Sequence, residues 1–212
     1  NASCDRVARF WAAPNIARKA GLKAIDMFDA VYDGRIKALW VMATNPAVSL
    51  PNSRRVREAL AHCPLVIVSD CMAETDTMGF AHVKLPALAW GEKDGTVTNS
   101  ERCVSRQRAL MPAPGAARAD WRIVADVAAG MGFADAFSWR SSADVFREYA
   151  RLTAYENQGR LLNLSDFAAL SPRAYDKLEP RQWPNGAARL FADGRFATPD
   201  GRARMHALTP RG

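Results

Sequence analysis

The chain has 212 residues, of which 49% are hydrophobic and 24% charged. This length can bury one sizeable core, or a core with an appended lobe. No stretch reaches the roughly 18 to 20 uninterrupted apolar residues that cross a bilayer, and the first residues lack the layout of a signal peptide. The sequence therefore predicts neither a membrane span nor a membrane partner.

The net charge of +7 favours an anionic partner. Nucleic acid, an acidic protein and a phosphate-bearing cofactor all match its sign. The arginines are spread from Arg6 to Arg211, and they form no long block of like charge. Zinc-finger and RNA-binding aromatic signatures are also missing, so nucleic acid is not the expected partner.

Potential metal-binding residues are few and widely spaced. They comprise four cysteines and three histidines: Cys4, Cys63, Cys71, Cys103, His62, His82 and His206. Without a Cys-x-x-Cys pair, neither structural zinc nor an iron–sulfur cluster is expected within this chain. Free thiols are typical of a reducing cytoplasm.

The chain begins with an irregular segment, one helix and one strand. Residues 1–20 form an irregular lead-in. Apolar residues at three- and four-residue steps predict a helix over 21–32, ended by Asp33-Gly34. The apolar run 38–42, closed by Asn45-Pro46, is typical of a strand buried on both faces.

A second helix and strand follow. Residues 54–62 carry apolar side chains at helical spacing, and 65–68 repeat the buried-strand pattern before Ser69-Asp70. A further short strand is predicted at 82–85, ahead of Pro86. Strand, helix and strand with short connections form a βαβ unit. The fold class is therefore α/β, with a Rossmann-like parallel sheet flanked by helices.

The remainder is less regular. The pattern loosens over residues 90–114, which contain several glycines. Asp120 is then predicted to be the N-cap of a helix that stops at Gly132, and another helix is expected over 142–155. Residues 157–212 show no strong periodicity of apolar residues.

Polar pairs directly follow the two clearest strands, as Thr44-Asn45 and Ser69-Asp70. Open α/β sheets bind ligands outside the carboxyl ends of their strands, so both pairs should reach one crevice. The chain has no Gly-x-Gly-x-x-Gly, phosphate loop, Gly-x-Ser-x-Gly elbow or His-Glu-x-x-His motif. A self-contained catalyst is therefore not expected.

Five stretches, in this order, resemble the third-domain signature of the molybdopterin oxidoreductases. They are 43–46 (ATNP), 68–70 (VSD), 74–77 (ETDT), 85–102 (LPALAWGEKDGTVTNSER) and 119–121 (ADW). Within that family the likeness is greatest to bacterial assimilatory nitrate reductases, followed by periplasmic nitrate reductases and formate dehydrogenases. It covers residues 21–132 and becomes diffuse beyond Phe133.

The resemblance implies a cofactor and a reaction. In the family, two pterin guanine dinucleotides hold one molybdenum, and a four-iron four-sulfur cluster delivers electrons. The parent enzyme would reduce nitrate to nitrite in the cytoplasm. This chain would then be an internal fragment whose partners are the remaining domains of the parent and one dinucleotide, with no metal or cluster expected on the fragment alone. The implied dinucleotide contacts are Asn45, Ser69, Asp70, Lys93 and Asp120.

The resemblance also implies a division of the chain. Residues 1–20 would lead into an α/β dinucleotide-cradling domain, 21–135. A helical and irregular extension, 136–212, would lead towards a domain downstream. Two positions depart from the family pattern, because His82 replaces a frequent aspartate and Cys103 replaces a frequent arginine. Neither is assigned to the cofactor.

Each assigned residue also has a purely structural interpretation. Asp120 could only cap its helix and Ser69-Asp70 only a turn. Asn45 could merely shape the turn before Pro46. Lys93 could be a solvated loop charge, and Trp90 is expected to be a core or interface anchor.

Two alternative functions remain open at this point. The chain could come from another molybdopterin oxidoreductase, such as a formate dehydrogenase, or it could be a nucleotide-binding or interaction module without a redox role. The cofactor interpretation requires Asn45 and Asp70 to share a crevice with Lys93 and Asp120 at its rim.

Overall fold

The structure is a computed structural model that describes residues 2–184 and 189–209. It contains helices and strands in mixed order. The helices are α1 (Ala2–Phe10), α2 (Ala24–Tyr32), α3 (Pro46–Ser49), α4 (Ser53–His62), α5 (Asp120–Gly130), α6 (Ser142–Ala154) and α7 (Pro172–Asp176). The strands are β1 (Ala38–Met42), β2 (Leu65–Asp70), β3 (Val83–Pro86), β4 (Gly95–Thr98), β5 (Cys103–Gln107) and β6 (Arg181–Gln182). Short 3₁₀ turns lie at Met78–Phe80, Trp90–Glu92 and Ser165–Phe167.

The first sheet is parallel and confirms the predicted α/β fold class. Its strand order is β1-β2-β3, so β2 is central and is paired on both edges. Leu39 lies opposite Val66, and Val68 lies opposite Lys84. The predicted strands at 38–42 and 65–68 are therefore parallel neighbours.

One face of this sheet packs on helices α2 and α4. Alternate residues of a strand point to opposite faces, and here the inward set is apolar because it meets two amphipathic helices. The principal members of this first core are Phe28, Val31, Leu39, Val41, Leu60, Val66 and Val68. Helix α2 ends where expected, with Asp33 as its C-cap and Gly34 at a φ of 72°.

A second, antiparallel sheet follows the parallel one. Its order is β4-β5-β6, with Val97 opposite Ser105. The loose pattern over residues 90–114 thus conceals a hairpin, whose short strands are mostly polar. A second core forms around Val104 on β5 and includes Phe146, Leu164, Phe167 and Tyr175. The extension therefore has regular structure at α6, α7 and β6, whereas residues 185–188 and 210–212 of it lie outside the described residues.

Helix α1 occupies nearly half of the stretch 1–20 that was predicted to be irregular. Its sequence has too few evenly spaced apolar residues for the periodicity to show, and tertiary contacts hold it instead. Arg9 Nε donates to Glu156 at 2.9 Å, and Trp11 just beyond the helix donates to Glu148 at 2.9 Å. The second oxygen of Glu148 accepts from Trp139 at 2.6 Å. Helix α1 is thereby fixed to α6.

An apolar cavity of about 860 Å³ opens beside α1, α5 and α6. Trp40 lines it from β1, together with Val124 and Val127 of α5. Trp40 lies on the sheet face opposite to Leu39, as strand alternation requires. Among the described residues, no helix is both long and apolar enough to cross a membrane.

Truncating one side chain of the first core should lower the stability of the protein substantially. Leu60 is fully buried, so Leu60→Ala should lower the free energy of unfolding by about 2 to 5 kcal/mol through a lost contact surface and a cavity. Leu65→Ala is the control, because Leu65 is 37% exposed, and it should cost about 1 kcal/mol or less. Urea denaturation of both variants measures the difference, and equal losses would contradict this description of the core.

Candidate functional site

Backbone hydrogen bonds join four chain segments side by side at the carboxyl edge of the parallel sheet. Ala43 N donates to the Ser69 carbonyl at 2.9 Å, and Ala87 N donates to the Asp70 carbonyl at 3.0 Å. Leu88 N then donates to the Arg118 carbonyl at 3.0 Å. Because neighbouring strands lie about 4.8 Å apart, this row is roughly 15 Å wide. It carries Asn45 near one end and Asp120 near the other.

Asn45 lies in a polar cluster just beyond β1. Its Oδ1 accepts from the Thr77 amide at 3.1 Å and from the Thr77 hydroxyl at 2.7 Å. Thr77 is fully buried and its Oγ1 also accepts from Ala47 N at 3.1 Å. The hydrogen bond from Arg57 lowers the pKa of Asp76, and a hydrogen bond from Asn45 acts in the same direction. The Asn45 side chain therefore ties the residues before α3 to the Thr77 segment, and it makes no capping hydrogen bond to α3 itself.

Ser69 and Asp70 end the central strand and differ in exposure. Ser69 is 1% exposed and its Oγ accepts from the Trp40 indole at 2.8 Å, so this hydroxyl is engaged within the protein. Asp70 is half-buried, and its Oδ1 accepts from Met72 N at 3.0 Å. No partner of the other Asp70 carboxylate oxygen lies among the residues that the structure describes.

Lys93 and Asp120 form an ion pair at the far end of the row. Lys93 Nζ lies 2.6 Å from Asp120 Oδ2, and the two side chains are 28% and 37% exposed. Asp120 is the first residue of α5, and Ala119 rather than Asp120 is the N-cap. The predicted cap is thus shifted by one residue, which places the carboxylate in the first turn, where the helix dipole stabilises a negative charge.

The residues next to Lys93 hold its loop. Glu92 Oε2 accepts from Ala89 N at 2.8 Å and closes the short turn at 90–92. Trp90, expected to be an anchor, is 70% exposed, and its carbonyl accepts from Gln107 at 2.9 Å. The loop is therefore held by polar contacts and leaves an indole in solvent.

The two groups of assigned residues are arranged along one edge. The structure brings Lys93 and Asp120 into contact. The hydrogen bond from Ala43 to Ser69 starts the segment that carries Asn45 beside the end of β2. Among the described residues, no hydrogen bond or ion pair joins the two groups directly. The backbone row connects them.

This donor set suits a nucleotide better than a metal. The edge offers an amide, two carboxylates and an ammonium group, and an ammonium or amide can meet phosphate while a carboxylate accepts paired N–H donors. Within ranges 2–184 and 189–209, no group of three or more His, Cys, Asp or Glu residues could hold a metal ion. The edge therefore carries the kinds of polar group that hydrogen-bond to a base and pair with a phosphate.

Sequence reasoning missed three residues that support the site. Thr77, Trp40 and Arg106 are buried or half-buried and bond to the assigned residues or to their loop. Thr77 lies within a stretch already noted for its family likeness, so that stretch was a signal. Arg106 could also have been noticed from the sequence, because a charged residue within a strand that borders a core needs an oppositely charged partner.

Comparison with known sequences identifies the class of protein. A profile of the family described as molybdopterin oxidoreductase matches residues 3–129, which is more than half of the chain. The chain belongs to this family.

Individual members of the family are similar to this chain over most of its length. The chain is 51% identical to a nitrate reductase of Klebsiella oxytoca over 208 residues, covering 97% of the chain and 24% of the relative. It is 38% identical to an F420-dependent formate dehydrogenase subunit alpha of Methanocaldococcus jannaschii, covering 88% of the chain and 26% of the relative. The chain thus spans about a quarter of the length of these relatives.

One solved structure shares the fold. Acetylene hydratase from Pelobacter acetylenicus superposes with a TM-score of 0.64 at 19% sequence identity. The likeness covers 95% of the chain and 26% of the hydratase. At this identity the comparison supports the fold alone.

The Asn45 cluster predicts the effect of one isosteric change. Thr77→Val should cost about 1 to 3 kcal/mol, because Ala47 N and Asn45 lose a buried hydrogen-bond partner. It should also shift the side-chain amide signals of Asn45 in ¹H-¹⁵N spectra.

Thr153→Val is the matched control. Thr153 is also buried, donates to the Ala150 carbonyl at 2.8 Å and accepts from Leu164 N at 2.9 Å. Its loss should destabilise the protein to a similar degree but leave the Asn45 signals in place. If both variants moved those signals alike, Thr77 would have no special role in orienting Asn45.

Proposed function

We propose that this chain is the part of a molybdenum-dependent nitrate reductase that binds one molybdopterin guanine dinucleotide. The observation that carries the proposal is the accessible ion pair of Lys93 and Asp120, located at the carboxyl edge of a parallel sheet. Family membership and the 51% identity to a nitrate reductase support the assignment.

The ion pair can remain in contact and still bind a ligand. A carboxylate has about four lone-pair sites and an ammonium group three donors, so one mutual contact uses only part of either. Asp120 can accept two parallel hydrogen bonds from guanine N1–H and the amino group, or from a ribose diol. Lys93 is then placed to balance the charge of the pyrophosphate.

The β2 end of the row would contact the other part of the dinucleotide. Asp70 and Asn45 offer polar atoms beyond β2 and β1, within the roughly 15 Å that the edge spans. Ser69, whose hydroxyl bonds to Trp40, acts by fixing the strand end and the indole. With these roles, the proposed binding site continues from the Lys93–Asp120 ion pair along the same edge of the sheet.

The parent reaction would be the two-electron reduction of nitrate to nitrite. Bound molybdenum supplies the redox chemistry, with electrons delivered through an iron–sulfur cluster held by other domains of the parent in the cytoplasm. The residues of this chain bind and orient the cofactor. They take no part in bond breaking.

A formate dehydrogenase parent is the second candidate. The observation in its favour is the 38% identity to a relative with that name across 88% of the chain. Both candidates assign the same role to Lys93 and Asp120, because the dinucleotide is common to them. The choice of substrate would depend on residues near the metal.

The proposal predicts a weak, guanine-selective site on the chain as it stands. GDP presents guanine, ribose and a pyrophosphate, and it should bind with a Kd near the millimolar range, which is about 4 kcal/mol. ADP cannot offer the paired N1–H and amino donors and should bind more weakly. Titration followed by amide chemical shifts measures both. Equal affinities, or shifts that avoid Lys93 and Asp120, would contradict the proposal.

A pair of aspartates on one helix tests the assigned contact. Asp120→Ala should weaken GDP binding by about 1.5 to 3 kcal/mol, because the ligand loses hydrogen bonds to a charged group. Asp126→Ala is the control, since Asp126 also lies on α5 and pairs with Arg118 and Arg122 at 2.6 and 2.9 Å. GDP binding should be unchanged in that variant. Equal losses in both would assign the effect to helix stability.

A further inference from the structure

Arg106 connects the hairpin to the second core. Its side chain is only 5% exposed, and its Nη2 contacts the carboxylates of Asp94 and Asp176. Nη1 donates to the carbonyl of Gly95 at 3.0 Å. The guanidinium also stacks on the ring of Tyr175, with 4.3 Å between Cζ and the ring centroid. A buried guanidinium with this many partners fixes the position of each of them.

Two of these partners directly follow Lys93 in the chain. Arg106 holds the side chain of Asp94 and the carbonyl of Gly95 at the same time. The other oxygen of Asp94 accepts a hydrogen bond from the hydroxyl of Ser142, the first residue of α6. Asp94 is therefore attached to β5 and to α6 together.

The chain before Lys93 is fixed as well. Glu92 closes the preceding turn through the amide of Ala89 at 2.8 Å. The backbone of Lys93 is thus held by its neighbours on both sides. Its Nζ lies 2.6 Å from Asp120 Oδ2. A lysine side chain loses much rotamer entropy when it becomes ordered. Because the backbone at Lys93 is already fixed, less additional conformational entropy is lost when the ion pair forms.

We propose that Arg106 and Asp94 are positioning residues for Lys93, which hold its ammonium group on Asp120 and so prepare the anion-binding end of the site. The inference rests on the proposed function for its ligand, a pyrophosphate, but the positioning itself is independent of any ligand. It assigns separate tasks to three adjacent charges. Glu92 and Asp94 hold the loop, and Lys93 faces the neighbouring helix.

The two carboxylates on Arg106 supply a matched experiment. Asp94→Asn removes the charge that ties the Lys93 loop to Arg106, whereas Asp176→Asn removes the other charge on the same guanidinium. Because an ammonium group held against a carboxylate acylates slowly, the acetylation rate of Lys93 reports its pairing. Mass spectrometry gives this rate relative to the exposed Lys84 in the same molecule.

We expect Asp94→Asn to raise the relative rate at Lys93 about threefold, in line with the loss of one partly exposed ion pair, and Asp176→Asn to leave it unchanged. Arg106→Met should raise it as Asp94→Asn does, with circular dichroism used to verify folding. Because Asp94 is 47% exposed, its variant should fold even if Arg106→Met does not. An unchanged rate in Asp94→Asn, or an equal rise in Asp176→Asn, would overturn the proposal.

A second measurement, made with GDP present, distinguishes this inference from the proposed function. In the unmodified chain, GDP at several millimolar should protect Lys93 from acetylation. If GDP gives no protection but Asp94→Asn still raises the rate, positioning is supported and the dinucleotide role of Lys93 fails. If GDP protects Lys93 and Asp94→Asn has no effect, the site is supported and the positioning role fails.

Discussion

Strand β2 forms hydrogen bonds on both of its edges, and the positions of the residues assigned to the site depend on this pairing. Its last two carbonyls accept from Ala43 and from Ala87, which are the first residues beyond β1 and β3. The connections that carry Asn45 and Lys93 therefore start from fixed points. A parallel ladder gives this result because all of its strands end at the same edge. Ala43 has a φ of 53°, a conformation that is disfavoured for a residue with a Cβ, and the bond to Ser69 holds it there.

Buried polar contacts and exposed charges have different roles along this edge. Thr77 and Ser69 are buried, and each satisfies a donor or acceptor of a neighbouring segment. Lys93 and Asp120 are paired but retain exposed surface. A buried polar group must find its partner inside the protein, whereas a partly exposed pair can exchange water for a ligand. The first set therefore fixes geometry, and the second remains accessible to solvent.

Some of this arrangement could be predicted from sequence and some could not. Strands β1 and β2 were evident because unbroken apolar runs suit a sheet covered on both faces, and α2 and α4 because their apolar stripes face that sheet. Helix α1 was missed because contacts to Glu148 and Glu156, far along the chain, hold it in place. The hairpin was missed because Val104 alone marks its buried face. Family likeness assigned Lys93 and Asp120 to the site separately, but nothing in their spacing indicated that they pair with each other.

The position of Lys93 between two cores has a thermodynamic consequence. Its partner Asp120 begins a helix beside the parallel sheet, while Asp94 next to it is attached to α6 in the second core. Linkage is reciprocal, so a ligand whose affinity depends on this lysine also changes the stability of the elements that hold it. Amide hydrogen exchange in α6 and α7 would then slow when the anion end of the edge is filled, although neither helix supplies an assigned contact. Substitutions in that second core would in turn alter affinity at a distance.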